Sequence, residues 1–303
     1  MEAIRHFSDP DVCLKFMAGI RWPDGKISCP RCNCDRVGFI KTRRTWQCKG
    51  CSKQFSVKVG TIFEDSPLGL DRWLVAIWMI ANCKNGISSY EIHRSIGVTQ
   101  KTAWFMLHRI RLALQNGSVM KHDMKGEIEA DETWIGGKSR NMHKDKRKKK
   151  ITGRGGSGKA IVMGVLQRGG EVRAKVVPNN RKATVQAEIQ NHVYHGSEVF
   201  TDALKSYRGL EVDYIHEVID HAVCYVRGKV HTNSMENFWS LLKRCLGGTY
   251  VSVREWHLFR YLDEQSFRFN TRTVDDLARF LKALASISGK RLTHKQLTGK
   301  TTT

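Results

Sequence analysis

Four cysteines are the first residues in this chain whose types and spacing define a chemistry. Cys29-Pro-Arg-Cys32 and Cys48-Lys-Gly-Cys51 are CxxC pairs with fifteen residues between them, which lets two short turns close four thiolates around one tetrahedral Zn2+. Four protein ligands leave no coordination position for water, so such a zinc is structural. Its binding is worth about 10 to 16 kcal/mol, enough to fold a segment that has no core of its own. Cys34 lies two residues after Cys32 and is a rival ligand, although the matched spacing favours Cys32. Cys13, Cys83, Cys224 and Cys245 have no comparable partners and read as partly buried thiols.

Carboxylates are the second candidate set. Asp131 ends a strand-like run in which Glu127, Glu129 and Asp131 share one face. Asp202 follows the apolar run EVF, and Glu236 lies in the first turns of the helical stretch NSMENFWSLLKR. Each acid alone reads as an exposed carboxylate, and periodicity does not choose among them. Lys243 follows Glu236 by seven residues, two helical turns on and nearly on the same face. His231 and Asn233 stand at the start of that helix, where capping and substrate contact are both open.

The elements that must position these groups follow from apolar spacing. Leu70, Trp73, Leu74, Ile77, Trp78 and Ala81 recur at helical intervals. In SSYEIHRSIGVTQKTAWFMLHRIRLAL one helix ends at Gly97 and another starts after the capping candidate Thr99. That is a helix-turn-helix pattern, with Tyr90, Ile92, Ile96, Val98, Ala103 and Met106 as its core. Thr99, Gln100, Lys101, Thr102 and Arg109 are left to face DNA. From about residue 126 the texture changes to the strand-like runs EIEADETWI, AIVMGVLQ, EVRAKVVP, SEVFTD and VDYIHEVI, with a helix KATVQAEIQNHV between the third and fourth. The order reads as a mixed α/β domain. The expected organisation is a helical leader at 1–24, a zinc ribbon at 25–60, a helix-turn-helix region at 61–118, an α/β domain at 119–288 and a disordered basic tail at 289–303.

The chain has 303 residues and a net charge of +22, a balance that attracts polyanions, nucleic acid first. Residues 138–159 carry ten basic residues against one acid, Asp145, and read as a mobile basic loop between two strands. Within them GRGGSGKA approaches a phosphate-binding loop, but Ala160 stands where a hydroxyl is needed for Mg2+ and the segment enters a strand rather than a helix. Nucleotide hydrolysis is therefore not expected. No run reaches the length of about 18 apolar residues that a membrane span needs, and the start lacks a secretion signal, which points to the cytoplasm.

The acids are singled out by resemblance. ADETWIGGK at 130–138, VFTDALKSY at 199–207, HTNSMENFWSLLKR at 231–244 and HLFRYLDEQSFRFNTR at 257–272 resemble, in order, the landmarks of bacterial insertion-sequence transposases of the DDE type. The closest resemblance is to the zinc-ribbon group known as the insertion-sequence fifteen-ninety-five type. The likeness runs from the CPRC pair to RFNTR. Gln265 departs from it, standing where an aromatic residue is expected, which concerns local packing rather than chemistry.

The resemblance implies a multidomain α/β protein with a ribonuclease-H-like catalytic domain. The first acid lies on the first strand, the second follows the fourth strand and the third sits on a later helix. Asp131, Asp202 and Glu236 match those positions, as catalytic ligands of Mg2+ or Mn2+, and Lys243 matches a phosphate contact. Asn233 and Arg244 are further candidates for DNA contact. The implied partners are double-stranded DNA, both element ends and target, and a second copy of the chain at least, working in the nucleoid. A zinc-ribbon regulator without catalysis, and a hydrolytic nuclease of the same fold, are the alternatives.

Overall fold

The computed structural model describes residues 6–115, 123–137, 139–151, 156–219 and 229–299, and the chain divides into two compact units. The first unit is residues 1–115 with 273–303, and the second is 116–272.

The first unit opens with helix α1, Pro10–Arg21, whose start is set by proline in the first turn and by the Asp9 carboxylate accepting from the Asp11 N–H at 2.7 Å. Strands β1 (Val37–Ile40), β2 (Thr45–Cys48) and β3 (Gln54–Phe55) follow as an antiparallel sheet. Trp46 packs between Phe55 and Trp22, at ring distances of 5.8 and 5.5 Å, giving the ribbon a small aromatic core. Helix α2, Leu70–Asn82, buries Trp73, Leu74, Ile77 and Ala81, four of the six residues expected at helical spacing.

Helix α3, Ser89–Ile96, is held at its start by a reciprocal cap between Ser88 and Glu91 and is stopped by Gly97, whose φ of 64° suits glycine. Helix α4, Gln100–Leu114, starts at Thr99, whose hydroxyl accepts from the Thr102 N–H at 3.2 Å. Ile92, Val98, Ala103 and Met106 are buried as expected. Tyr90 is not: it is 62% exposed, because the buried stripe of so short a helix is narrow and Ile92 fills it.

The second unit is built on a five-stranded sheet of order β6-β5-β4-β7-β8. The strands are β4 (Glu127–Ile135), β5 (Ala160–Gln167), β6 (Val172–Val177), β7 (Glu198–Asp202) and β8 (Ile215–Ile219). The first three form an antiparallel meander, and β4, β7 and β8 run parallel. Between β4 and β5 the basic segment, expected as a loop, carries helix α5, Lys144–Lys150; lysine and arginine are good helix formers, so charge alone does not unwind them. Residues 152–155 of the glycine stretch lie outside the described residues, and β5 does begin where a strand was expected.

Helix α6, Lys182–Gln190, follows β6, and Val185 and Ile189 join Ile128, Ala130, Val165 and Val199 in the core on one sheet face. On the other face helices α7 (Asn233–Arg244) and α8 (Leu258–Asn270) set Met235, Phe238, Trp239 and Leu262 against Val162, Leu166 and Val172. Gln265, the departure from the family pattern, is buried in a polar cluster. Its Oε1 accepts from Arg268 at 3.1 Å and from the Cys245 thiol at 3.4 Å, while Arg268 and Tyr250 both bond Glu264.

The chain then returns to the first unit with helices α9 (Asp276–Ala285) and α10 (His294–Thr298). The unit boundary thus falls at residue 272 rather than 288, because the apolar face of α9 packs Phe280 against Trp78, 5.4 Å away in the first unit's core. The segment from 289, expected to be disordered, is ordered through 299 by a reciprocal Thr293–Gln296 cap and by burial of Leu292 and Leu297. Among the described residues no helix is long and apolar enough to cross a membrane.

Candidate active site and metal centre

In the ribbon, Cys29, Cys32, Cys48 and Cys51 bring their four sulfurs within 4.8 Å of one another. The Cys29–Cys51 and Cys32–Cys48 separations are 3.8 and 3.6 Å, close to the roughly 3.8 Å edge of a tetrahedron with zinc–sulfur bonds of about 2.3 Å. Local backbone makes the cage: Asn33 takes a φ of 58° and Ser52 one of 55°, turning the chain sharply after each CxxC pair. The N–H groups of Cys51 and Gly50 point at the Cys48 sulfur and pull its thiol down to about 6, favouring the thiolate that a metal takes. The donors and their spacing fit a structural zinc. Cys34 stays outside the cage, close to where a side chain on Gly50 would reach its sulfur. Cys13 and Cys245 are buried and Cys83 is half-buried, as expected; Cys224 lies outside the described residues.

The second centre is assembled by register. Parallel pairing of β4 and β7 runs from Glu127 opposite Glu198 to Glu129 opposite Phe200, so Asp131 and Asp202 each lie two residues beyond the last pair. Helix α7 lies over β4, running in the same direction. The Met235 N–H in its first turn donates to Glu129 Oε2 at 2.8 Å, and the Trp239 indole N–H donates to Asp131 Oδ2 at 2.9 Å. Burial, then the charges of Asp202 and Glu236, push the Asp131 carboxyl up to about 6. Asp131 therefore lies within electrostatic reach of Asp202 and Glu236. The three acids do not converge into a cage: among the described residues the cysteines are the only group of three or more His, Cys, Asp or Glu side chains to do so. Hard carboxylate oxygens are a donor set suited to a hard divalent cation.

Helix α7 divides cleanly. Met235, Phe238, Trp239 and Leu242 are buried, while Asn233, Glu236, Lys243 and Arg244 are exposed, Glu236 at the edge of the buried stripe next to Trp239. Asn233 is the first residue of the helix, not its cap, which is Thr232. His231 is a neighbour of the network below: its Nδ1 lies 3.0 Å from Arg168 Nη2 and 3.4 Å from Glu129.

Sequence reasoning missed four groups here. Glu129, fully buried, is an anchor rather than a solvated acid: besides Met235 it accepts from Arg168 Nε at 2.8 Å. Arg168 also bonds the carbonyls of Lys229 and His231, each at 2.8 Å, so it fixes the approach to α7. Glu132 points to the other sheet face, where the buried Tyr207 hydroxyl donates to it at 2.7 Å, and burial pushes its carboxyl up to about 7. Trp239 is the fourth. Only its position next to the expected third acid hinted at a role, since the pairings depend on how α7 seats on the sheet.

In the first unit Thr99 and Lys101 are exposed, and Thr102 and Gln100 half-exposed. Gln100 donates to Ser89 at 2.8 Å, tying the two helices together. Arg109 does not face solvent: it is 4% exposed and donates to the carbonyls of Leu292 and Glu64, each at 2.9 Å. It lies nine residues into the helix, where α4 is packed on all sides, so it is a structural group and not a DNA contact.

Two segments of the chain match families of known proteins. Residues 123–270 match the ISXO2-like transposase domain, and residues 8–54 match the transposase zinc-ribbon domain. A protein in transposable element ISH50 of Halobacterium salinarum is 28% identical over 81% of this chain and 86% of its own length. A transposase-like protein of Haemophilus influenzae is 32% identical over 38% of this chain and 93% of its own length. The chain belongs to the zinc-ribbon insertion-sequence transposases of the DDE type.

Proposed function

We propose that this transposase cuts the inverted-repeat ends of its element and joins their 3'-hydroxyls to target DNA, with Asp131, Asp202 and Glu236 as the carboxylates that hold two Mg2+ or Mn2+ ions. The observation that supports this reading is that Asp131, just past the parallel pairing of β4 with β7, is buried and has its carboxyl raised further by the charges of Asp202 and Glu236. A pair of such ions activates an attacking hydroxyl and stabilises the leaving oxygen of an in-line displacement.

The chain's own residues supply position and charge. Glu129 and Trp239 seat α7 on β4, fixing the third acid against the first. Lys243, on the exposed face with Glu236, serves the scissile or terminal phosphate, and Asn233 and Arg244 on that face contact neighbouring DNA. A ribonuclease-H-like fold is supported by the sheet order, three antiparallel strands continued by two parallel ones, with helices on both faces. Helices α3 and α4 act as a helix-turn-helix, with Thr99, Gln100, Lys101 and Thr102 at the DNA-facing start of α4. The ribbon zinc is structural. Two element ends must be handled together, so the working form is a homo-oligomer, at least a dimer, on nucleoid DNA in the cytoplasm.

The test incubates purified protein with duplexes of the element's ends, a target plasmid and Mg2+, and repeats it with Asp202→Asn. Joined products that need the wild-type residue are expected. Cut but never joined ends would make the protein a hydrolytic nuclease, and equal products from the variant would remove Asp202 from the site.

A further inference from the structure

Beyond the carboxyl end of β4 the second unit holds a cavity of about 300 Å³, lined by Ile135, Gly136, Gly137, Arg254, Trp256 and Leu258 among others. Its wall is unusual for a folded surface. Trp256 is 61% exposed, and the Arg254 guanidinium lies 5.0 Å from the centre of its ring. Burying a tryptophan is among the largest apolar gains open to a chain, so leaving one out beside a cavity calls for a partner. Phe259, 42% exposed, carries Arg260 over its ring in the same way, at 4.7 Å.

The segment that presents Trp256 is built with strain and then braced. Helix α7 passes into a π turn, Cys245–Thr249, a form that recurs at functional sites. Val251, a β-branched residue, follows with a φ of 57° and 78% exposure, a conformation that costs energy without being hidden in the core. Beneath it the buried Glu264, Gln265 and Arg268 hold Tyr250 and Cys245. The turn that leads into the aromatic segment is thus anchored at Cys245 and Tyr250.

Its place matters as much as its form. Because α7 and β4 run side by side in one direction, the row from Glu236 to Lys243 leads toward the end of β4 where the cavity opens. Gly137 has open space where a Cβ would stand and would let a flat group approach the backbone, whereas Gly136 is packed against Lys159.

We propose that this cavity receives one unstacked nucleobase of the strand passing the acids, with Trp256 as its stacking platform and Arg254 on an adjoining phosphate. The proposal rests on the DNA-cutting reading above. Aromatic faces accept any base, and a nearby cation serves the backbone, which is the pairing of features that binds single-stranded nucleic acid.

The test measures affinity of the full chain, before Mg2+ is added, for a short duplex ending in a single-stranded thymidine extension and for the same duplex with an abasic extension. Wild type should prefer the first. Trp256→Ala should lose about tenfold on the thymidine extension and nothing on the abasic one, and Trp256→Phe should recover most of the loss. Arg254→Ala should weaken both and lower the salt slope by about one. Equal losses by Trp256→Ala on the two DNAs, or none on either, would overturn the base-pocket proposal while leaving the DNA-cutting reading intact. A wild type that binds neither DNA would sink both.

Discussion

The Trp239 indole N–H reaches Oδ2 of Asp131 at 2.9 Å, so the first acid is bonded directly to the helix that carries the third. The spacing of the site then depends on how closely α7 sits on the sheet.

Gly164 sets that closeness. It pairs with Asp131 on the neighbouring strand, and a Cβ there would come within 2.1 Å of the Met235 methyl and 2.7 Å of the Trp239 ring. Gly164→Ala should cost about 1 to 3 kcal/mol through overpacking and should depress end cleavage far more than Mg2+-independent DNA binding. Thermal melting and a cleavage assay on the same preparation check it; unchanged cleavage would mean that α7 has room to shift.

Stability without Mg2+ should fall as pH rises from about 4 to about 7. Asp131 and Glu132 have ordinary values of 3.8 and 4.5 but are held at about 6 and about 7 in the fold. Over that window the folded state keeps protons that the unfolded chain has released, so raising the pH favours unfolding. Asp131→Asn should flatten the lower part of the profile and Glu132→Gln the upper part, and Mg2+ at neutral pH should stabilise the wild type and Glu132→Gln but not Asp131→Asn. Melting temperature against pH, with and without Mg2+, is the measurement.

One zinc per chain should be bound by the four cysteines of the cage. Cys48→Ser should lose the metal and unfold the ribbon, whereas Cys34→Ser should keep both. Metal content by atomic emission, together with near-ultraviolet circular dichroism of the ribbon tryptophans, separates the two; loss of zinc from the Cys34 variant would reassign the ligands.

Arg109 and Lys101, both on α4, should part company. Arg109→Ala removes two charged hydrogen bonds, one to the buried Leu292 carbonyl and one to the partly buried Glu64 carbonyl, and should destabilise by about 2 to 4 kcal/mol. Lys101→Ala, at an exposed position, should leave melting unchanged and weaken duplex binding. Denaturant titration and a binding isotherm decide it.

The five strands of the second unit, its helices α6 and α7, and the two cysteine pairs were legible in the sequence because strict alternation, helical spacing and CxxC turns are local signals. The acids needed the ordered family motifs, since Glu129 and Asp131 share a face and only the tertiary structure makes one an anchor. Arg109 was misjudged because a helix wheel cannot show that residues nearly two hundred positions away close over it. The helix in the lysine run was missed because charge was read as disorder. Trp256 went unremarked, as a single aromatic residue between helices carries no periodicity.

The first unit is completed by the chain's last thirty-one residues: Ile62 and Gly60 exchange backbone hydrogen bonds with Ile287 and Gly289, and Lys290 reaches the Ala113 and Gln115 carbonyls. Domains made on a ribosome ordinarily fold in the order they emerge. Here the first unit must wait until the whole inserted second unit has been synthesised, so a transposase whose translation stops before residue 273 is left with an open first unit.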